Sequence, residues 1–259
     1  MKNKKIYYYT DDFDQDFFGN SIEEKKIDKN YKYLNKNIFY LIISFIYYYI
    51  MFLPIAFVYC KCIKKIKYKN KVVLKGIKNT GYFVYGNHTH NLSDAFSPSI
   101  ICKNKPHIIV NAKNLNVPIL KSSTKMLGAM PLPTGIDTAK NFISALKTRI
   151  GQKKAVVVYP EARLWPYYTD IRPFKAASFK YPIMFNVPAF CFTTTYVATK
   201  RKNKYKMIIY IDGPFYSDKT LNSKQQQEKL QCQIFEKMKE RSQNSNFEKI
   251  IYIKKEKNL

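Results

Sequence analysis

The sequence predicts an α/β domain with a largely parallel central sheet, preceded by an apolar helical segment that associates with a membrane. Three observations carry this expectation. From Lys71 onward, short apolar runs alternate with longer polar, helix-patterned stretches. Ahead of them, Ile38 to Tyr59 is a run of 22 residues without a charge. The 259 residues suffice for one domain with a sizeable buried core.

The first segment, residues 1–37, mixes three consecutive tyrosines (Tyr7 to Tyr9), an acidic patch (Asp11, Asp12, Asp14, Asp16) and many lysines. It reads as a polar surface arm with room for one short helix, and it carries no secretory signal pattern. The apolar segment, 38–59, covers ~33 Å as a helix at ~1.5 Å per residue, enough for a bilayer core. Pro54 should kink it. Its flanks are both basic: Lys25, Lys26, Lys29, Lys32 and Lys36 precede it, and Lys61, Lys64, Lys65, Lys67, Lys69 and Lys71 follow. A simple span leaves one flank poorer in lysine. Near-symmetry therefore fits a kinked, re-entrant or interfacial segment with both ends cytoplasmic; a span with the more basic carboxyl side inside is the alternative. Either way the following domain faces the cytoplasm.

Residues 71–216 form the α/β domain. Its expected strands are Val72 to Leu74, Tyr82 to Tyr85, His107 to Val110, Ala155 to Tyr159, Ala189 to Thr195 and Met207 to Ile211. Ala139 to Ile150 reads as a helix between them. Residues 217–259 supply a second helix, Lys219 to Gln243, whose Lys/Gln-rich sequence places it outside the core, and a basic tail.

The formal net charge is +27. Abundant Lys, Asn, Ile, Tyr and Phe together are the mark of AT-rich codon usage; an anionic bilayer or a nucleic acid would draw on the same charge. No nucleic-acid recognition motif accompanies it, and the uncharged run argues against that partner. Five cysteines (Cys60, Cys62, Cys102, Cys191, Cys232), odd in number and irregularly spaced, give no disulfide framework and no four-sulfur metal site.

The reactive groups concentrate in Gly86-Asn87-His88-Thr89-His90-Asn91-Leu92-Ser93-Asp94, directly after an expected strand. Loops at strand carboxyl ends commonly carry catalytic groups. A histidine near an aspartate is a base and its orienter: the carboxylate holds one ring N–H and leaves the other nitrogen to take a proton. The blander reading is a histidine that caps the next helix. A zinc reading fails for want of ligands, because Leu92 and Ser93 stand where a binuclear hydrolase pattern needs Asp and His.

These residues resemble the first signature block of the glycerolipid and lysophosphatidate acyltransferases, in which Asn-His is followed by four residues and Asp. Val157-Val158-Tyr159-Pro160-Glu161-Ala162-Arg163 is similar to the third block, a strand ending in Pro-Glu-Gly-Thr-Arg. Pro173-Phe174-Lys175-Ala176-Ala177-Ser178-Phe179 is similar to the stretch that follows it, and Val187-Pro188-Ala189-Phe190-Cys191-Phe192 to the fourth block. Asn111-Ala112-Lys113 and Leu127-Gly128-Ala129-Met130-Pro131 occupy the places of a lysine-bearing strand end and the second block. The blocks run in the family's order from Lys71 to Pro214.

The resemblance implies an acyltransferase-type domain that moves a fatty acyl group from an acyl thioester, acyl-CoA or acyl carrier protein, to a lysophospholipid hydroxyl, lysophosphatidate foremost. It implies membrane lipids as partners and no metal or redox cofactor. His88 is then the base and Asp94 its orienter, with His90 the alternative base, because His88 to Asp94 is one position longer than the family's block and His90 to Asp94 one shorter. Asn87 would position the loop or the oxyanion, with backbone N–H groups near the helix start as the other oxyanion donors. Arg163, Arg172 and Lys175 would bind the acceptor's phosphate, with Pro160 and Glu161 shaping the site. Trp165, Tyr167 and Tyr168 are either an acyl-chain wall or loop packing. Two departures stand out: the third block lacks Gly-Thr, and Leu132-Pro133-Thr134-Gly135 lacks the second block's basic residue. The contrary reading is a catalytically inactive basic protein of the same fold that binds membrane surfaces.

Overall fold

The computed structural model describes residues 4–17, 27, 30–77, 79–112 and 123–255. Its centre is a sheet of seven strands: β2 (Lys67–Lys69), β3 (Tyr82–Gly86), β4 (His107–Val110), β5 (Ala129–Pro131), β6 (Ala155–Val158), β7 (Ala189–Ala198) and β8 (Tyr205–Phe215). The spatial order is β2-β8-β7-β3-β6-β4-β5. Every neighbouring pair is parallel except β7 and β8.

The central strands are apolar throughout because both faces are covered. On β3, Phe83 and Tyr85 face one core, shared with Phe142, Leu146, Leu230 and Ile234. Tyr82 and Val84 face the other, shared with Ala56, Cys60, Ile100 and Ile101. Four long helices supply those partners: α1 (Ile38–Ile63), α2 (Asn91–Ile101), α3 (Ile136–Gly151) and α4 (Ser223–Ser242). The five cysteines are free, three of them buried.

Three expectations are corrected. Val72 to Leu74 belongs to a 3-10 turn, Lys71–Gly76, and the strand lies just before it at β2. Helix α4 is not outside the core: Leu230, Ile234 and Met238, four apart, are buried on one narrow stripe that its polar composition conceals. The amino-terminal arm holds a strand, β1 (Lys5–Tyr9), paired in parallel with β9 (Ile250–Lys254) in a separate two-stranded sheet. Among the described residues of the arm there is no helix.

Helix α1 is long and apolar enough to cross a membrane, and only 17% of its most apolar window is buried within the protein. What is buried keeps a period of four, at Ser44, Tyr48, Ala56 and Cys60, with half-buried Phe52 between them. An α-helix turns once per 3.6 residues, so a strict period of four would drift off one face. Two widened π stretches, Tyr47–Phe52 and Val58–Ile63, slow the winding and keep the stripe against the domain. Phe52 and Tyr59 meet the ring of Phe96 on α2 at 5.3 and 5.2 Å. The opposite face shows Phe39, Ile50, Ile55 and Ile63 to the surroundings.

Candidate active site

Strand β3 ends at Gly86, where a Cβ would lie 2.2 Å from Cζ of Phe192 on β7, so only glycine lets that ring close over the backbone. Asn87 follows and is buried. Its Nδ2 donates to the Thr194 carbonyl (3.1 Å) and its Oδ1 accepts from the Thr194 N–H (2.8 Å). Both amide atoms are thereby used in fixing the loop to β7.

The ring of His88 then projects to the surface with 23% of the side chain exposed. Its Nδ1 is 2.8 Å from Oδ2 of buried Asp94, in the first turn of α2. The same oxygen accepts the N–H groups of Thr89 and His90, each at 2.9 Å. An oxygen already receiving two donors is an acceptor toward the ring, so Nδ1 carries the hydrogen and Nε2 is left with its lone pair. The extra residue between His88 and Asp94 is absorbed by this turn. It also commits the Thr89 and His90 N–H groups, so those two do not serve as the oxyanion donors expected near the helix start.

His90 takes the capping role. Its Nδ1 accepts the Ser93 N–H at 3.3 Å, its ring is buried, and Nε2 has no partner. Burial lowers its pKa, although Asp94 pulls the other way. Only His88 places its ring on Asp94.

Glu161, on the turn after β6, reaches the same loop from the third block. Its Oε2 accepts the His88 N–H at 2.9 Å and its Oε1 the Arg172 N–H at 3.0 Å. Burial raises its pKa, opposed by the Arg172 guanidinium 3.7 Å away. Pro160 makes the half-buried corner between Tyr159 and Glu161. Ala162 sits at φ +61°, the left-handed region, at the place where the family pattern has glycine.

Arg172 corrects its assignment as a phosphate ligand. It is 1% exposed, donates to the carbonyls of Glu161, Arg163 and Asp12, and lies 4.7 Å over the ring of Trp165. Such a guanidinium is a strut inside the protein, out of reach of a headgroup. Arg163 is half-buried with Nη1 3.8 Å from Asp16, and Lys175 is exposed with Nζ 6.0 Å from the Phe13 ring. Trp165 is fully buried among Tyr9, Phe17 and Tyr252, with Nε1 donating to the Gln15 carbonyl, so its role is packing. Lys113 lies outside the described residues.

Two residues escaped the sequence reading. Tyr159 stacks on the His88 ring at 4.7 Å and donates to the Asp94 carbonyl at 2.5 Å. The buried Tyr196 hydroxyl meets Oγ1 of Thr89 at 3.0 Å. Tyr159 stands directly before Pro160-Glu161, so its place in the motif was the available signal; Tyr196, on β7, offered none.

His88 and Asp94 thus meet at the carboxyl end of the parallel strand β3. The model of the family described as Acyltransferase matches residues 65–213, more than half of the chain, and this chain belongs to that family. Among solved structures it is similar to the 1-acyl-sn-glycerophosphate (LPA) acyltransferase PlsC from Thermotoga maritima, at 14% identity and a TM-score of 0.53. That match covers 78% of this chain and 87% of the other, and at such identity it shows a shared fold. No curated protein matches.

Proposed function

We propose that this protein transfers a fatty acyl group from an acyl thioester, acyl-CoA or acyl carrier protein, to a hydroxyl of lysophosphatidate. The observation that carries the reading is the His88–Asp94 contact, which leaves Nε2 as the acceptor nitrogen on a partly exposed ring. His88 removes the proton from the glycerol hydroxyl as that oxygen attacks the thioester carbonyl, without an acyl-enzyme. Asp94 orients the ring and stabilises the imidazolium that forms. Glu161 holds the backbone of His88, and Tyr159 packs beneath its ring. The reaction asks for no cofactor beyond the thioester co-substrate.

Arg163 and Lys175 are the cations offered to the acceptor's phosphate; Arg163 would exchange Asp16 for the ligand. The packing of α1 along the domain from Ser44 to Cys60 supports a segment lying in the membrane interface, and the reading puts the catalytic site on the cytoplasmic side. The test is incubation of purified protein with labelled acyl-CoA or acyl carrier protein and lysophosphatidate. Diacyl product dependent on His88 supports the reading; no product with either donor sinks it, and would favour a membrane-binding protein without activity.

A further inference from the structure

At the amino ends of β4, β5 and β6, the end of the sheet opposite His88, lies a cavity of about 110 Å³. At the ~30 Å³ of each water in the liquid, that is room for roughly three waters or one tetrahedral oxyanion. Four cations line it: Lys105, Lys125, Arg149 and Lys154. No Asp or Glu among the described residues lines it with them. Among the described residues, His107 at the start of β4 is the only other titratable nitrogen in the wall.

The cations are held there by the fold. Lys105 Nζ donates to Ser44 Oγ at 3.0 Å and to the Met126 carbonyl, which fixes it to α1 and to the turn before β5. Lys125 lies 5.1 Å over the Tyr31 ring. Arg149 comes from the last turn of α3, with Nη1 on Gln152 at 2.9 Å, and Lys154 from the position just before β6. The pKa of Lys105 is pulled down to about 8, by burial first and then by Arg149 and Lys154. Lys125 and Lys154 are lowered by burial and by Arg149 as well. Like charges brought together in a half-buried space repel, and desolvation adds to the cost. A bound anion would offset both. The Tyr40 hydroxyl points the same way: it lines the cavity and is buried with no hydrogen-bond partner.

We propose that this cavity binds a phosphate group, with Lys105, Lys125, Arg149 and Lys154 supplying the charge and the Tyr40 hydroxyl donating a hydrogen bond. Part of the wall is α1 itself, through Tyr40, Leu41 and Ser44, so the site opens beside the apolar segment. The phosphate belongs either to a free ion or to a lipid headgroup. The site is remote from His88 and does not depend on the acyl-transfer reading.

The test uses the full chain in neutral detergent, titrated calorimetrically with inorganic phosphate, with dihexanoyl phosphatidic acid, and with dihexanoylglycerol as the phosphate-free control. Chloride at matched ionic strength removes non-specific salt effects. Saturable binding of phosphate identifies a free-ion site; binding of the phosphatidic acid alone identifies a headgroup site. In either case Arg149→Met/Lys154→Met should weaken binding roughly tenfold or more, whereas Lys224→Met on the exposed face of α4 should leave it intact. With the repulsion relieved, the unliganded double variant should melt no lower than wild type. Should it fail to fold, Lys154→Met alone reads the same loss. Absence of binding by both phosphate compounds, or binding undiminished in these variants, overturns the proposal.

Discussion

Glu161 accepts the backbone N–H of His88 at 2.9 Å, across 73 positions of sequence. The same carboxylate takes the Arg172 N–H, so one buried side chain ties the loop after β3 to the segment after β6. Neither motif is complete without the other: the first supplies the ring and the third fixes the peptide that carries it.

His88→Ala should lower acyl transfer by ~10²–10⁴-fold, the loss typical of a general base, with the fold intact. His90→Ala removes a helix cap and should keep most of the activity. Acyl-transfer assays beside circular dichroism check both; an inactive His90 variant with an active His88 variant would reverse their roles.

The two arginines should separate cleanly. Arg172→Ala leaves Glu161 buried without its cation and should cost about 3–5 kcal/mol of stability, read from denaturant unfolding. Arg163→Ala should unfold like wild type and raise the KM for lysophosphatidate roughly tenfold, with a smaller effect on kcat. Equal use of a monoacylglycerol by wild type would count against a phosphate contact.

Association with membranes should survive high salt, because insertion of Phe39, Ile50, Ile55 and Ile63 is insensitive to screening. Replacing those four with serine should leave a form that salt releases in flotation assays. Release of the unmodified protein by salt alone would show that α1 is not inserted.

Stability should fall as pH drops below about 6.5. Burial depresses His107 well below its ordinary pKa, with Arg149, Lys105 and Lys154 adding to it, and depresses His90 as well. Between the depressed and the unfolded values the unfolded chain binds a proton that the folded one refuses, so unfolding gains as pH falls. Melting temperatures from pH 8 to pH 5 should show this, and His107→Gln should flatten part of the slope.

Much of this protein was determined by local sequence. The strands at Tyr82, His107, Ala155, Ala189 and Met207 could be read from apolar runs, because a strand covered on both faces must be apolar at nearly every position. His88, Asp94 and the Pro160-Glu161 corner were legible through the family resemblance, because each sits in a short motif that a few residues of loop hold together. Tertiary structure decided what composition conceals. Two histidines stand within reach of Asp94, and only the path of the loop sets one ring on the carboxylate and the other on the helix cap. Arg172 looked like a surface cation until the fold closed Trp165, Glu161 and the amino-terminal arm around it. The stripe on α4 is three apolar residues long and one wide in a polar helix, and β1 pairs with β9 from the far end of the chain. Which distant segment a residue meets is not written in its local sequence, so burial and charge pairing there are properties of the assembled fold.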